Sequence, residues 1–231
     1  MLPAFDWAPV LISTALFTAM HWCVPRWVDT DDSTALKLSR GIAAVLLTLL
    51  GSWTLLAARG HWQSAFVYHH RHEDWMRVAF LLVYGHFLAD ILWMAWSRWS
   101  RSAHVRRDLV VHHLLGLVAF TFGLVLQAGY ALGLIVMITE VLPVSTGLKG
   151  LGIALHKPHL AALADRTHLQ LLIWIRLPLW TTLLVLSLRV LMLGNAGDLV
   201  SAYQVVTAGL LALISLDLFW VWDCIRRPPR K

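Results

Sequence analysis

The stretch DLVVHHLLGLVAFTFGLVLQ, residues 108–127, decides how this chain is read. From Leu109 to Gln127 it is almost wholly apolar, over about the 20 residues a helix needs to cross a hydrocarbon layer. Yet it carries two adjacent histidines, His112 and His113, and Asp108 stands just ahead of the run. Ionisable side chains at membrane depth are expensive, so this pair is the first place to look for chemistry.

The same texture extends along the chain. Of 231 residues, 58% are hydrophobic and 14% charged, the mean hydropathy is +0.66, and the apolar residues are gathered into runs. Segments at roughly 5–25, 40–58, 76–97, 109–127, 130–155, 169–193 and 199–224 are each long enough to span. Together they consume most of the chain and leave no room for a soluble domain. The expected fold is all-α, a polytopic membrane protein of about seven transmembrane helices.

The first segment opens MLPAFDW, with an acid, no basic stretch and an apolar run too long for a signal peptide. A retained helix is expected. Lys and Arg in short loops mark the cytoplasmic side. Arg26 and Lys37, then Arg98, Arg101, Arg106 and Arg107, then Lys157 and Arg166, and finally Arg226, Arg227, Arg230 and Lys231 all fall on one side. The other side receives turns near Ala128 and Asn195 and a mixed loop with Arg59, Arg71, Glu73, Asp74 and Arg77. This predicts an outside N-terminus and a cytoplasmic C-terminus, in a bacterial inner membrane or the endoplasmic reticulum. The formal charge of +6 is spread over separate cytoplasmic segments, which suits anionic lipid headgroups and not nucleic acid. Cys23 and Cys224 fall near cytoplasmic helix ends, where thiols stay reduced, so no disulfide is expected.

No period of 20 to 50 residues repeats, and no low-complexity linker divides the chain. DTDDST at 29–34 is the most polar interruption, with Ser33 or Thr34 ready to cap the next helix. It suggests an N-terminal helix and linker over 1–35, a six-helix membrane core over 36–225 and a basic tail over 226–231. The fifth segment carries Gly129, Gly133, Gly147, Gly150 and Gly152, which permit close helix contact, and Pro143, which should kink or break the span.

Several polar residues fall inside these spans. Asp90 lies near the middle of the third, with His86 one turn earlier on the same face. Glu140 is mid-span in the fifth, Arg176 sits in the sixth just before Pro178, and Asp217 lies deep in the seventh, three residues before Trp220. At roughly 2.5 to 3.5 kcal/mol for each charge at a helix centre, Asp90, Glu140, Arg176 and Asp217 would together cost on the order of 10 kcal/mol facing lipid. They are expected to face one another and the histidine pair across a polar interior. The plainer reading makes them interhelical glue, Glu140 with Arg176, Asp90 with His86 and Asp217 with an indole N–H. A histidine near neutrality can act as base, acid or acyl-accepting nucleophile, and a neighbouring carboxylate fixes its tautomer. Asp108 is assigned to capping its helix. Lys149 and Arg189 lie nearer segment ends, where long side chains snorkel.

His69, His70 and His72, in YHHRHED at 68–74, raise a rival reading, the His-rich di-iron site of membrane hydroxylases and desaturases. The HHRH and HH spacings differ from the i, i+3 to i+4 boxes of those enzymes. The predicted topology also puts these histidines on the face opposite His112 and His113, so no metal is assigned. His21, His61, His104, His156, His159 and His168 are lone and are assigned nothing. GxSxG, HExxH, CxxC and P-loop patterns are absent from the sequence. An aromatic belt at the interfaces accounts for most of the 13 tryptophans.

From Gly85 to about Trp220 the chain resembles the TLC-domain family, the membrane proteins that include the ceramide synthases. GHFLAD at 85–90 is similar to the glycine-to-aspartate signature of that family's third helix, and DLVVHH at 108–113 to its paired-histidine motif. TEVLP at 139–143 resembles the acid-centred motif in the form seen in the smaller TLC-domain proteins, and IRLP at 175–178 and DLFW at 217–220 resemble the last two helices. Asp217 stands where an asparagine is more usual. Thr139, Glu140 and Pro143 replace the His-Asp pair and downstream aspartate of the ceramide synthases.

The resemblance implies a six-helix core around a lipid-accessible cavity, preceded here by one extra helix. In the ceramide synthase branch it implies acyl transfer from acyl-CoA to the amine of a long-chain base, with the paired histidines essential. On that expectation His112, His113, Asp90 and Glu140 are catalytic, and Arg176, Asp217, Trp220 and His86 bind substrate. Arg101, Arg106 and Arg107 would steer the CoA phosphates. No cofactor is expected beyond acyl-CoA as co-substrate. The partners expected are membrane lipid, acyl-CoA and a second copy in a homodimer. The alternatives are a lipid-binding or membrane-composition protein without chemistry and, behind it, the di-iron oxidase.

Overall fold

The computed structural model describes residues 7–28, 32–58, 74–101, 107–127, 129–194, 196–197 and 200–226. They form seven helices and no strand. These are α1 (Ala8–Trp27), α2 (Asp32–Ala57), α3 (Asp74–Arg101), α4 (Arg107–Leu126), α5 (Tyr130–Ala154), α6 (Pro158–Met192) and α7 (Val200–Arg226). Helices α2 to α7 are long and apolar enough to cross a membrane, and α1 contributes the shorter apolar stretch Ala8–Val24. The chain is an all-α polytopic membrane protein, as expected. Arg59, His61, His69, His70, His72, Glu73, His104, Arg106 and the tail residues Arg227, Arg230 and Lys231 lie outside the described residues, as do the side chains of Arg98 and Arg101.

Helices are the form such a sequence must take, because lipid offers no partner for backbone N–H and C=O groups and a helix satisfies them within itself. The side chains sort accordingly. Leu11, Ile12, Leu49, Trp53, Val185 and Phe219 are exposed, while His21, Asp90, His113, Glu140, Arg176 and Asp217 are buried. This inverts the arrangement of a water-soluble bundle.

Glycines set the closest crossings. Helix α1 runs against α3 at Gly85, where a Cβ would stand 2.6 Å from the Val10 carbonyl oxygen. The Thr14 hydroxyl fastens that contact by donating to the Gly85 carbonyl at 3.1 Å. Helices α2 and α5 cross at Gly41 and Gly147, where a Cβ on Gly147 would meet the Gly41 Cα at 2.7 Å. The expectation that α5 uses its glycines for close contact is met there and at Gly150 and Gly152.

An apolar cluster fills the end of the bundle where α3 and α5 begin and α4 finishes. Phe80 stacks on Phe120 at 4.0 Å and leans on Tyr130 at 5.0 Å, with Leu134 and Met137 packed around them. The buried polar residues gather toward the other half.

One element departs from expectation. The sixth span was expected from about 169, with Lys157 and Arg166 in a loop. Instead α6 starts at Pro158 and runs 35 residues, about 50 Å at 1.5 Å per residue and well beyond a hydrocarbon layer of about 30 Å. Its first half was passed over because hydropathy counts only apolar residues, and this half is amphipathic. It is held by contacts rather than by lipid. Ala161 packs on Gly152, His168 bonds Ser145 at 2.8 Å, and Asp165 pairs with Lys149. Lys149, expected to snorkel, therefore has a partner within the protein.

Candidate functional site

Two prolines shape the site. A proline lacks the N–H that would bond the carbonyl four residues back, and its ring crowds that carbonyl. Ahead of Pro143, α5 tightens into a 3-10 turn over Val136–Glu140. Around Pro178, α6 widens into a π turn over Leu172–Arg176. Both irregular turns end on a charged residue that is buried, Glu140 and Arg176. The expected disruption at Pro143 thus takes the form of a change of winding. Such turns inside helices often mark functional positions.

The adjacent histidines divide the site in two. Consecutive residues on an α-helix point about 100° apart, and the two rings, 5.5 Å between centroids, stand at 76° to each other. His113 turns toward α1, α2 and α3, and His112 toward α5, α6 and α7.

On the first side, the Asp90 carboxylate is the hub. Its Oδ1 lies 2.9 Å from His21 Nε2, and its Oδ2 accepts from Arg40 Nε at 2.9 Å. Arg40 also donates to His113 Nε2 at 3.0 Å, which leaves His113 Nε2 3.4 Å from Oδ2. His21 Nδ1 reaches the Ser39 hydroxyl at 2.7 Å, which in turn donates to the Leu36 carbonyl at 3.1 Å. The expected pairing of Asp90 with His86 is not found. His21 and Arg40 occupy both carboxylate oxygens, and the His86 ring instead meets Phe17 edge-on at 4.6 Å.

On the second side, Asp217 is fully buried and its Oδ2 accepts from Arg176 Nε at 2.8 Å and from Trp180 Nε1 at 3.0 Å. The guanidinium lies over Trp220 at 5.1 Å and Trp180 at 5.8 Å, contacts that stabilise a desolvated cation. Its outer nitrogen sits 3.4 Å from His112 Nδ1 and 3.5 Å from Nε2, so it faces the imidazole without a single directed bond. Glu140 Oε1 stands 3.8 Å from His112 Nε2, an ion-pair distance longer than a hydrogen bond. One expectation changes here: Arg176 pairs with Asp217 and not with Glu140. The carboxylate of Asp108, in the first turn of α4, accepts the Trp220 indole at 2.7 Å. The expected indole partner of Asp217 is Trp180.

All eight residues expected at the site are therefore buried and brought into this centre, the two chains of contacts meeting at the histidine pair. Sequence reading missed His21, Ser39, Arg40 and Trp180. Charge count carried a signal for Arg40, because three carboxylates were expected inside with only one guanidinium. Ser39 and His21 carried none, since nothing local distinguishes them.

His113 is 0% and His112 8% exposed. A groove of about 560 Å³ lies on the outward face of α6, lined by Ile173, Leu177, Pro178, Thr181, Thr182, Val185 and Leu186. Among the described residues no group of three or more metal-ligating side chains occurs. No protein-family model, curated protein or solved structure matches this chain, so the likeness to the TLC domain rests on its residue motifs.

Proposed function

We propose that the protein is a membrane lipid acyltransferase of the ceramide-synthase type, moving a fatty acyl group from acyl-CoA to the amine or hydroxyl of a lipid acceptor. One observation carries the reading. His112, the more exposed of the paired imidazoles, is held at membrane depth between the Glu140 carboxylate at 3.8 Å and the Arg176 guanidinium at 3.4 Å. A carboxylate beside an imidazole orients it, and catalytic contacts that are long without substrate shorten when it binds. His112 takes the proton as the acceptor attacks the thioester carbonyl, the carbon–sulfur bond breaks, and the proton passes to the departing thiolate. Glu140 steadies the imidazolium, and Arg176 balances Glu140 and Asp217. Asp90 and His113 position the pair from the other side, and His86, Asp217 and Trp220 shape the acceptor's surroundings. The N-terminus lies outside and the C-terminus in the cytoplasm, so that Arg107 meets the CoA phosphates at the start of α4.

Purified protein in lipid nanodiscs, given labelled acyl-CoA and a long-chain amine, should form the amide. His112→Ala should abolish product while the protein stays folded. Full activity in both His112→Ala and His113→Ala would reject the mechanism.

A second reading, lipid binding without chemistry, is favoured by the saturation of Asp90, whose two oxygens are both taken by His21 and Arg40. Retained lipid with no product, from the same incubation, would select it.

A further inference from the structure

Two buried nitrogens stand apart from both chains of contacts. Nδ1 of His86 and Nδ1 of His113 have no hydrogen-bond partner among the described residues, although His86 is 3% and His113 0% exposed. The two rings stand 6.4 Å apart between centroids, at 62° to each other. Phe17 packs edge-on against His86 at 4.6 Å and Phe87 edge-on against His113 at 5.4 Å.

The tautomer of His113 follows from its neighbour. Arginine has donors and no acceptor, and Arg40 reaches His113 Nε2 at 3.0 Å. Nε2 must therefore present its lone pair. A proton there would set two N–H groups head to head, merely to gain Asp90 Oδ2 at the longer distance of 3.4 Å. The neutral ring then carries its hydrogen on Nδ1, and that N–H is a buried donor aimed away from Arg40. A buried donor left without an acceptor is among the costlier defects a fold can hold.

We infer that the space between His86 and His113 is a binding niche for one hydrogen-bonding oxygen, that of a buried water or of a lipid hydroxyl or carbonyl, and that His113 is a donor to it. Such an oxygen accepts from His113 Nδ1–H. It accepts from His86 Nδ1 as well, or a water or hydroxyl donates to it, according to the His86 tautomer. Two such contacts suffice to hold a buried water. It follows that the paired histidines are not interchangeable. The lone pair of His113 is spent on Arg40, which leaves His112 as the ring able to take a proton. The inference stands whether or not the protein transfers acyl groups.

The test is magic-angle-spinning NMR of 15N,13C-labelled protein in liposomes, with His113 assigned by the backbone walk Val111–His112–His113–Leu114, so that no variant is needed. The expected spectrum shows His113 neutral with its proton on Nδ1, and magnetisation reaching that proton from water. Transfer from glycerol or headgroup protons, lost when the lipid is deuterated, would make the oxygen a lipid's. A second measurement uses His86→Phe, which keeps the ring's packing against Phe17 but removes one side of the niche, and the transfer should fall several-fold. An Nε2-protonated or doubly protonated His113, no transfer from either source, or transfer undiminished in His86→Phe would overturn the inference.

Discussion

Replacing Arg176 by Met separates the two ways of valuing a polar contact inside a membrane. Arg176 and Asp217 are 1% and 0% exposed and joined at 2.8 Å. Met fills much of the volume but leaves Asp217 with one indole N–H. If the contact behaves as an ordinary interhelical hydrogen bond in lipid, the loss is about 0.6 kcal/mol, because the unfolded chain in the membrane also finds partners. If it behaves as a buried ion pair stripped of one member, the loss is about 3–5 kcal/mol, since an uncompensated charge remains. The geometry selects the second value. Among the described residues no other cation pairs with Asp217, and its second oxygen lacks a partner. Both variants take the Arg176 charge from Glu140 and His112 alike; the double variant R176M/D217L also removes the Asp217 charge and strands the Trp180 indole, at about 1–3 kcal/mol, so it should be more stable than R176M. Reversible unfolding in mixed micelles, followed by helical circular dichroism, measures both. A loss below about 1 kcal/mol for R176M, or a double variant weaker than the single one, would refute the ion-pair reasoning.

Gly147→Leu should push α2 from α5, because even a Cβ meets the Gly41 backbone at 2.7 Å; about 1–3 kcal/mol of destabilisation is expected by the same assay. His21→Ala removes a 2.9 Å bond to the Asp90 carboxylate and should cost about 1.5–3 kcal/mol, with unchanged stability counting against α1 as a structural part of the centre. Lys149→Ala should cost less than about 1 kcal/mol, since the Asp165 side chain is 49% exposed and water screens the pair. Pro178→Ala should restore regular winding near Arg176 and cut acyl transfer on the order of 100-fold through misplacement, with thermal stability retained.

Much of this arrangement was legible in the order of residues. Apolar runs located the seven helices, and the cost of burying charge identified Asp90, Glu140, Arg176 and Asp217 as inward-facing, which the structure bears out. The partners were not legible. Which acid meets Arg176 depends on where Glu140 points, and Glu140 points where a rewound turn sends it. His21 acquires meaning only because Gly85 lets α1 close on α3 and bring its imidazole within reach of Asp90. The early start of α6 was hidden for another reason, since its first half is held by Gly152, Ser145 and Lys149 on a neighbouring helix and not by its own hydropathy.

The tightened turn ahead of Pro143 has one more effect. A 3-10 helix advances about 120° per residue and an α-helix about 100°, so the five residues Val136–Glu140 put the second half of α5 out of phase with the first by about 100°. A helical wheel drawn through Tyr130–Ala154 as one unbroken cylinder would misassign the lipid-facing stripe beyond Val141. Cysteine-labelling scans of α5 should show two stripes of reactivity offset by about a quarter turn, with the step falling at Glu140.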